Sequence, residues 1–137
     1  MAGEKAIQQA ADAYLILRTS WVYSLRFQSG FVKKVLAWAR QNEVLRIVDD
    51  QIGCPTWARM LAEVTGLLMA RGGDQLSEYF MPHAGIYHVA GQGGVSRFEW
   101  AQAILAHDPD RGEQRAKRLE PAPGSDFPTP ASQSEGL

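Results

Sequence analysis

The sequence is short of several kinds of chemistry, and each shortage excludes something. One cysteine in 137 residues cannot make an internal disulfide framework and fits a reducing compartment, so a cytoplasmic location is expected. The apolar runs fall well short of the roughly 18 to 20 residues needed to span a bilayer. Met1-Ala2-Gly3-Glu4-Lys5 lacks the apolar core of a signal peptide. Fourteen basic side chains stand against 15 acidic ones, for a net charge of −1. With no basic stripe, nucleic acid and anionic membrane are not the expected partners. His83, His88 and His107 have no metal-ligand spacing, and His88, inside an apolar run, reads as a satisfied structural histidine. No metal site is expected. Cys54, between Gly53 and Pro55, has no histidine paired with it in sequence and reads as a small filler rather than a nucleophile. A Tyr-x-x-x-Lys pair is also missing. Tyr14 is followed four residues on by Arg18, Tyr23 by Phe27, Tyr79 by His83 and Tyr87 by Gly91.

What is present is globular. A hydrophobic share of 45% and a charged share of 21% belong to a folded domain rather than a disordered chain, and the length suffices to bury a core. Residues 2–12 are rich in helix formers. Residues 14–18 form a short apolar strand signal. Residues 31–41 carry Phe31, Val35, Leu36 and Ala39 on one helical face. Residues 45–48 make a second strand signal, ended by the polar turn Asp49-Asp50-Gln51. Thr56, after Pro55, is placed to cap a helix with Met60, Leu61, Val64, Leu67 and Leu68 at helical spacing; Gly72-Gly73 ends it. A third strand is expected over 86–90. Ser96-x-x-Glu99 is a capping box opening a helix to about residue 106. From His107 onward the helical and strand periods stop. The expected division is therefore a structured part over 1–106, with a linker and an extended or disordered tail over 107–137. Strand–helix alternation indicates an α/β fold, and three strands are too few for a complete doubly wound sheet.

Three stretches invite a functional reading. Arg18-Thr19-Ser20-Trp21-Val22-Tyr23 follows a strand signal, and ligands of open α/β sheets sit beyond the carboxyl ends of strands. Trp21 there can lay a flat face on a sugar or ring and donate from its indole N–H, although packing is the commoner use of a tryptophan. Thr19 and Ser20 read as backbone-positioning residues of the turn. Asp49-Asp50-Gln51 offers two carboxylates for a metal or for proton transfer, against the simpler reading of a solvated turn. Gly91-Gln92-Gly93-Gly94-Val95-Ser96 imitates a dinucleotide fingerprint, but Ser96 stands at the third glycine position, and a tight strand-to-helix connection uses such glycines equally well.

Taken in order, Trp21-Val22-Tyr23, Asp49-Asp50-Gln51-Ile52-Gly53-Cys54-Pro55-Thr56, Gly85-Ile86-Tyr87-His88-Val89-Ala90-Gly91, Ser96-Arg97-Phe98-Glu99-Trp100-Ala101 and Phe127-Pro128-Thr129-Pro130-Ala131 resemble the dTDP-4-dehydrorhamnose reductase family of extended short-chain dehydrogenases. The resemblance implies a partial NAD(P)-binding Rossmann-like fold, namely the last sheet strand plus the substrate-binding region. It implies that Trp21 lines the sugar pocket, with Gln51 and Thr56 as candidates for polar contacts beside it. The family pattern Tyr-Gly-x-x-Lys-x-x-Gly-Glu aligns its last two members with Gly3-Glu4. The expectation is thus a fragment that begins just after the catalytic pair and carries no catalytic residue of its own. The parent so implied is a reductase using NADPH or NADH on a dTDP-sugar, with a homodimer as the assembly to look for. The chain alone is expected to bind no dinucleotide and to be inactive. The rival reading is a non-catalytic binding module, like the regulatory subunit of methionine adenosyltransferase, which shares this fold. One departure from the family is the junction Ser24-Leu25-Arg26-Phe27-Gln28-Ser29-Gly30, which has no asparagine before the helix.

Overall fold

The computed structural model describes residues 2–27 and 29–127. Of the expected linker and tail over 107–137, residues 128–137, with Pro128-Thr129-Pro130-Ala131, lie outside the described residues; residues 107–127 are described and include a strand over Arg118–Ala122. The chain divides into two compact units, each made of two segments: residues up to Ser24 with Cys54–Gly93, and Leu25–Gly53 with the residues from Gly94 onward.

The first unit holds α1 (Ala2–Ala10), β1 (Leu15–Arg18), β2 (Val22–Tyr23), β5 (Thr56–Trp57), α3 (Ala58–Gly72), α4 (Leu76–Phe80) and β6 (Gly85–His88). β1 and β6 run parallel, with Leu15 opposite Gly85 and Arg18 opposite His88. The ladder continues past the strand ends through Val89 N–H, which donates to Arg18 O at 2.8 Å. β2 and β5 are a second parallel pair, with Val22 opposite Thr56. Arg18 ties β1 to α1 by donating Nε and Nη2 to the two oxygens of Glu4 at 2.9 and 2.8 Å. Those bonds hold the Glu4 carboxyl below its usual range and raise the guanidinium of Arg18.

Two sequence expectations change here. Thr56 does not cap α3; Trp57 is the residue before the helix, without a side-chain cap, because Thr56 is drawn into β5. The apolar row of α3 is not a core face either: none of its residues is buried, and Leu67 is 67% exposed. Leu68 instead joins Leu15, Leu17, Tyr79, Tyr87 and Val89 around a cavity of about 300 Å³. Gly73, at φ +52°, closes α3 as the glycine pair requires, since a left-handed residue there suits glycine. His88 is exposed on β6 rather than sequestered.

The second unit holds α2 (Phe31–Gln41), β3 (Val44–Val48), β4 (Ile52–Gly53), β7 (Val95–Ser96), α5 (Arg97–Ala106) and β8 (Arg118–Ala122). β3 and β8 are parallel, from Val44 opposite Arg118 to Val48 opposite Ala122. β4 and β7 are antiparallel. The strand β8 falls in the stretch that carries no sequence period. Its backbone pairs with β3, and that pairing, rather than its own pattern of Arg, Glu and Pro, makes it a strand. Val35 and Ala39 from α2, Leu45 and Ile47 from β3, and Ala101 and Leu105 from α5 form a closed core. Phe31 stacks on Trp100 with ring centroids 4.9 Å apart. α5 opens with the full reciprocal capping box between Ser96 and Glu99. The whole is an α/β structure whose strands pair mainly in parallel.

Candidate functional site

Trp21 stands where the expectation put it, in the bend of Ser20-Trp21 after β1 and immediately before β2. It is half-buried. Its backbone is the more informative part. At φ +37° it is the only non-glycine residue with positive φ among the described residues. A Cβ-bearing residue pays for that region in steric contacts with its own carbonyls, and such positions persist where the surroundings over-determine them.

The surroundings are polar and come from the loop that leads into β5. Thr56 N–H donates to Trp21 O at 3.2 Å, and Cys54 N–H donates to Ser20 Oγ at 3.3 Å. The hydroxyl of Thr56 donates to Cys54 O at 2.9 Å and accepts from Gly91 N–H at 3.0 Å. Thr56 is completely buried, and its oxygen is engaged on both sides. Of the three candidate contacts, it therefore presents no surface to a ligand. Gly91 is required by packing: a Cβ there would lie 2.2 Å from Pro55 O. Sequence reasoning singled out Ser20 as a turn-positioning residue but saw Cys54 only as a filler and Gly91 only as a turn glycine. That Cys54 and Gly91 share one hydroxyl, while Cys54 also holds Ser20, has no local sequence signal.

Gln51, the third candidate, belongs to the other unit. Its turn is pinned on three sides. Ser96 donates its hydroxyl to Asp49 Oδ1 at 2.5 Å, within the range of a charge-assisted bond. Arg97 N–H donates to Gln51 O at 3.2 Å, and Gly124 N–H donates to Asp50 Oδ2 at 2.8 Å. The two carboxylates are thus spent on separate partners. Among the described residues no group of three His, Cys, Asp or Glu side chains converges as for a metal. Gln51 itself is half-buried.

The glycine-rich stretch does not fit a dinucleotide's phosphates. A helix N-terminus binds phosphate through unpaired N–H groups, and at α5 those of Ser96 and Glu99 are taken by the capping box at 2.7 and 3.0 Å. That of Arg97 is taken by Gln51 O. Gly94 faces Ile52, which a Cβ would approach at 3.2 Å. The glycines serve packing and turning. No helix among the described residues is long and apolar enough to cross a membrane.

Strand ends that meet polar, aromatic loops define an α/β ligand-binding architecture. The chain belongs to the family described as RmlD substrate binding domain, whose model matches residues 1–136. Among curated relatives it is 36% identical over 130 residues to dTDP-4-dehydrorhamnose reductase of Sinorhizobium fredii, covering 94% of this chain and 42% of the relative. It is 33% identical over 132 residues to the protein of that name from Burkholderia thailandensis, covering 94% and 44%. The crystal structure of dTDP-4-dehydrorhamnose reductase from Bacillus anthracis in complex with NADP superposes with a TM-score of 0.75 at 28% identity, over 96% of this chain and 41% of that one. The chain therefore spans less than half the length of the relatives it matches. The family resemblance read from the sequence motifs holds.

Proposed function

We propose that this chain is the C-terminal, sugar-nucleotide-binding part of an NADPH-dependent dTDP-4-dehydrorhamnose reductase, an enzyme of dTDP-L-rhamnose and cell-surface polysaccharide synthesis. The observation that carries the reading is Trp21, half-buried, held with positive φ and placed beyond the carboxyl end of a parallel strand, in a chain of this family. The NADP-bound relative supports NADPH as the reductant of the intact enzyme; as one reactant of the assembled protein it supplies hydride. The residues present do not fit its phosphates, so no step of this chain runs through it.

The chain's own share of the reaction is recognition. Trp21 offers an aromatic face to the apolar side of the sugar and an indole N–H to a hydroxyl. Gln51 offers an amide that both donates and accepts. Fixing the sugar so that its keto carbon meets the reductant is a positioning contribution. The chain carries no Tyr-x-x-x-Lys pair to donate the proton, and on this reading the 137-residue polypeptide by itself does not reduce the keto sugar. We take the intact enzyme to be cytoplasmic.

The test is Trp21→Ala in the reductase that carries this chain. Losing a ring face and one donor should lower kcat/KM for the keto sugar nucleotide about tenfold to a hundredfold, with dinucleotide affinity little changed. Normal kinetics accompanied by a drop in melting temperature would remove Trp21 from the site and leave it as packing.

A further inference from the structure

We propose that Thr56 is a positioning residue: its buried hydroxyl holds the 54–56 loop so that Ser20 and Trp21 are fixed in the left-handed turn that presents the indole. The inference rests on the proposed role of Trp21, but the clamp is a property of the fold and can be read without any ligand.

Two backbone donors from this loop grip the turn on either side of the strained residue. Cys54 N–H takes the Ser20 hydroxyl oxygen, and Thr56 N–H takes the Trp21 carbonyl. Each donor is effective only if the loop stays where it is. What keeps it there is the Thr56 hydroxyl, which bridges Cys54 O and Gly91 N–H. The bridge joins the loop to the chain just beyond β6, the strand that pairs with β1. Gly91 completes the arrangement, because a side chain there would push Pro55 away. Thr56 is the one buried polar residue of this unit among the described residues, and hydrogen bonds out of solvent are the ones whose loss is felt most, since the stranded partners cannot turn to water. Serine could make both bonds. Valine, of nearly the same shape, could make neither.

The experiment uses the 137-residue chain, labelled for NMR, and titration with dTDP-L-rhamnose. The one-bond Cα–Hα coupling of Trp21 reports the sign of φ, and the indole N–H signal reports the ring's surroundings. Thr56→Val should move both signals and weaken dTDP-L-rhamnose binding about tenfold, the effect of losing a buried hydrogen bond. Thr56→Ser should restore the Trp21 coupling and bring binding within about twofold of the parent chain. A folded Thr56→Val chain with an unmoved Trp21 coupling overturns the proposal, as does failure of Thr56→Ser to restore it. Should Thr56→Val not fold, Ser20→Ala removes the acceptor of one grip and should shift the Trp21 coupling in the same sense; an unchanged coupling there also overturns it. Absence of any dTDP-L-rhamnose binding by the parent chain counts against the sugar-nucleotide reading alone, because the coupling still decides the clamp.

Discussion

The two units use the same ingredients, parallel strand pairs with helices, yet they close differently. The second packs six buried residues from α2, β3 and α5 into a continuous core. The first buries only Thr56 among its described residues; its larger apolar side chains surround a cavity of about 300 Å³ or face solvent, as Ile86 and Tyr87 do at 38% and 44% exposure. Among the described residues, the first unit is therefore held more by hydrogen bonds and backbone shape than by a closed core. A site held this way gains precise placement of Trp21 and is sensitive to polar substitutions that a close-packed core would absorb. Such regions belong to the less stable end of a structure.

The largest break in this contrast comes from truncating equivalent apolar residues in the two units. Ile47→Ala, in the closed core, should cost about 2–5 kcal/mol. Leu67→Ala, on the open face of α3, should stay within about 0.5 kcal/mol. Denaturant unfolding followed by probes in each unit measures both, and equal losses would mean that the first unit has a core after all. Next in size is Gly91→Ala. The 2.2 Å approach to Pro55 O is to backbone, which cannot rotate aside, so a loss of about 1–3 kcal/mol is expected. Gly66→Ala, in α3 with nothing within 4 Å of the new carbon, should instead stabilise by about 0.5–1 kcal/mol.

A smaller effect tests the strain at Trp21. Trp21→Gly should be more stable than Trp21→Ala by about 1 kcal/mol, because glycine alone adopts positive φ without steric cost. The reverse order in thermal melts would show that the turn relaxes once the ring is gone.

The pH response should sharpen the comparison last. Asp108 of the second unit is buried. The Gln114 amide donates to it at 2.9 Å, Asp110 N–H at 3.1 Å, and Arg40 stands at 3.4 Å. These partners hold its carboxyl below the ordinary value of 3.8. A carboxyl lowered on folding stabilises the protein above its unfolded pKa, and that contribution fades as pH falls through it. Below about pH 4 the second unit should therefore lose stability, and Asp108→Asn should flatten that acid limb. Glu4, lowered by Arg18, gives the first unit a dependence of the same sign. It should be weaker because the pair is solvent-screened. A steeper acid loss in the first unit would reverse the comparison.

Much of this was legible along the chain. Helix α2 runs over residues 31–41 as its periodicity dictates, and the Ser96–Glu99 box caps α5, because both are local: contacts three and four residues apart carry their own signal. The ordered motifs around Trp21 and Gln51 were enough to identify the family. Tertiary structure alone decided the rest. β8 is a strand because β3 lies beside it, whatever its own sequence pattern. Thr56, a helix cap by local rules, is taken into β5 because Trp21 O accepts from its backbone N–H and Gly91 N–H donates to its hydroxyl, both partners lying 35 residues away in sequence. The left-handed turn at Trp21 is likewise invisible in sequence, since nothing in a tryptophan asks for positive φ. Only the grip of residues distant in the chain makes that conformation the stable one.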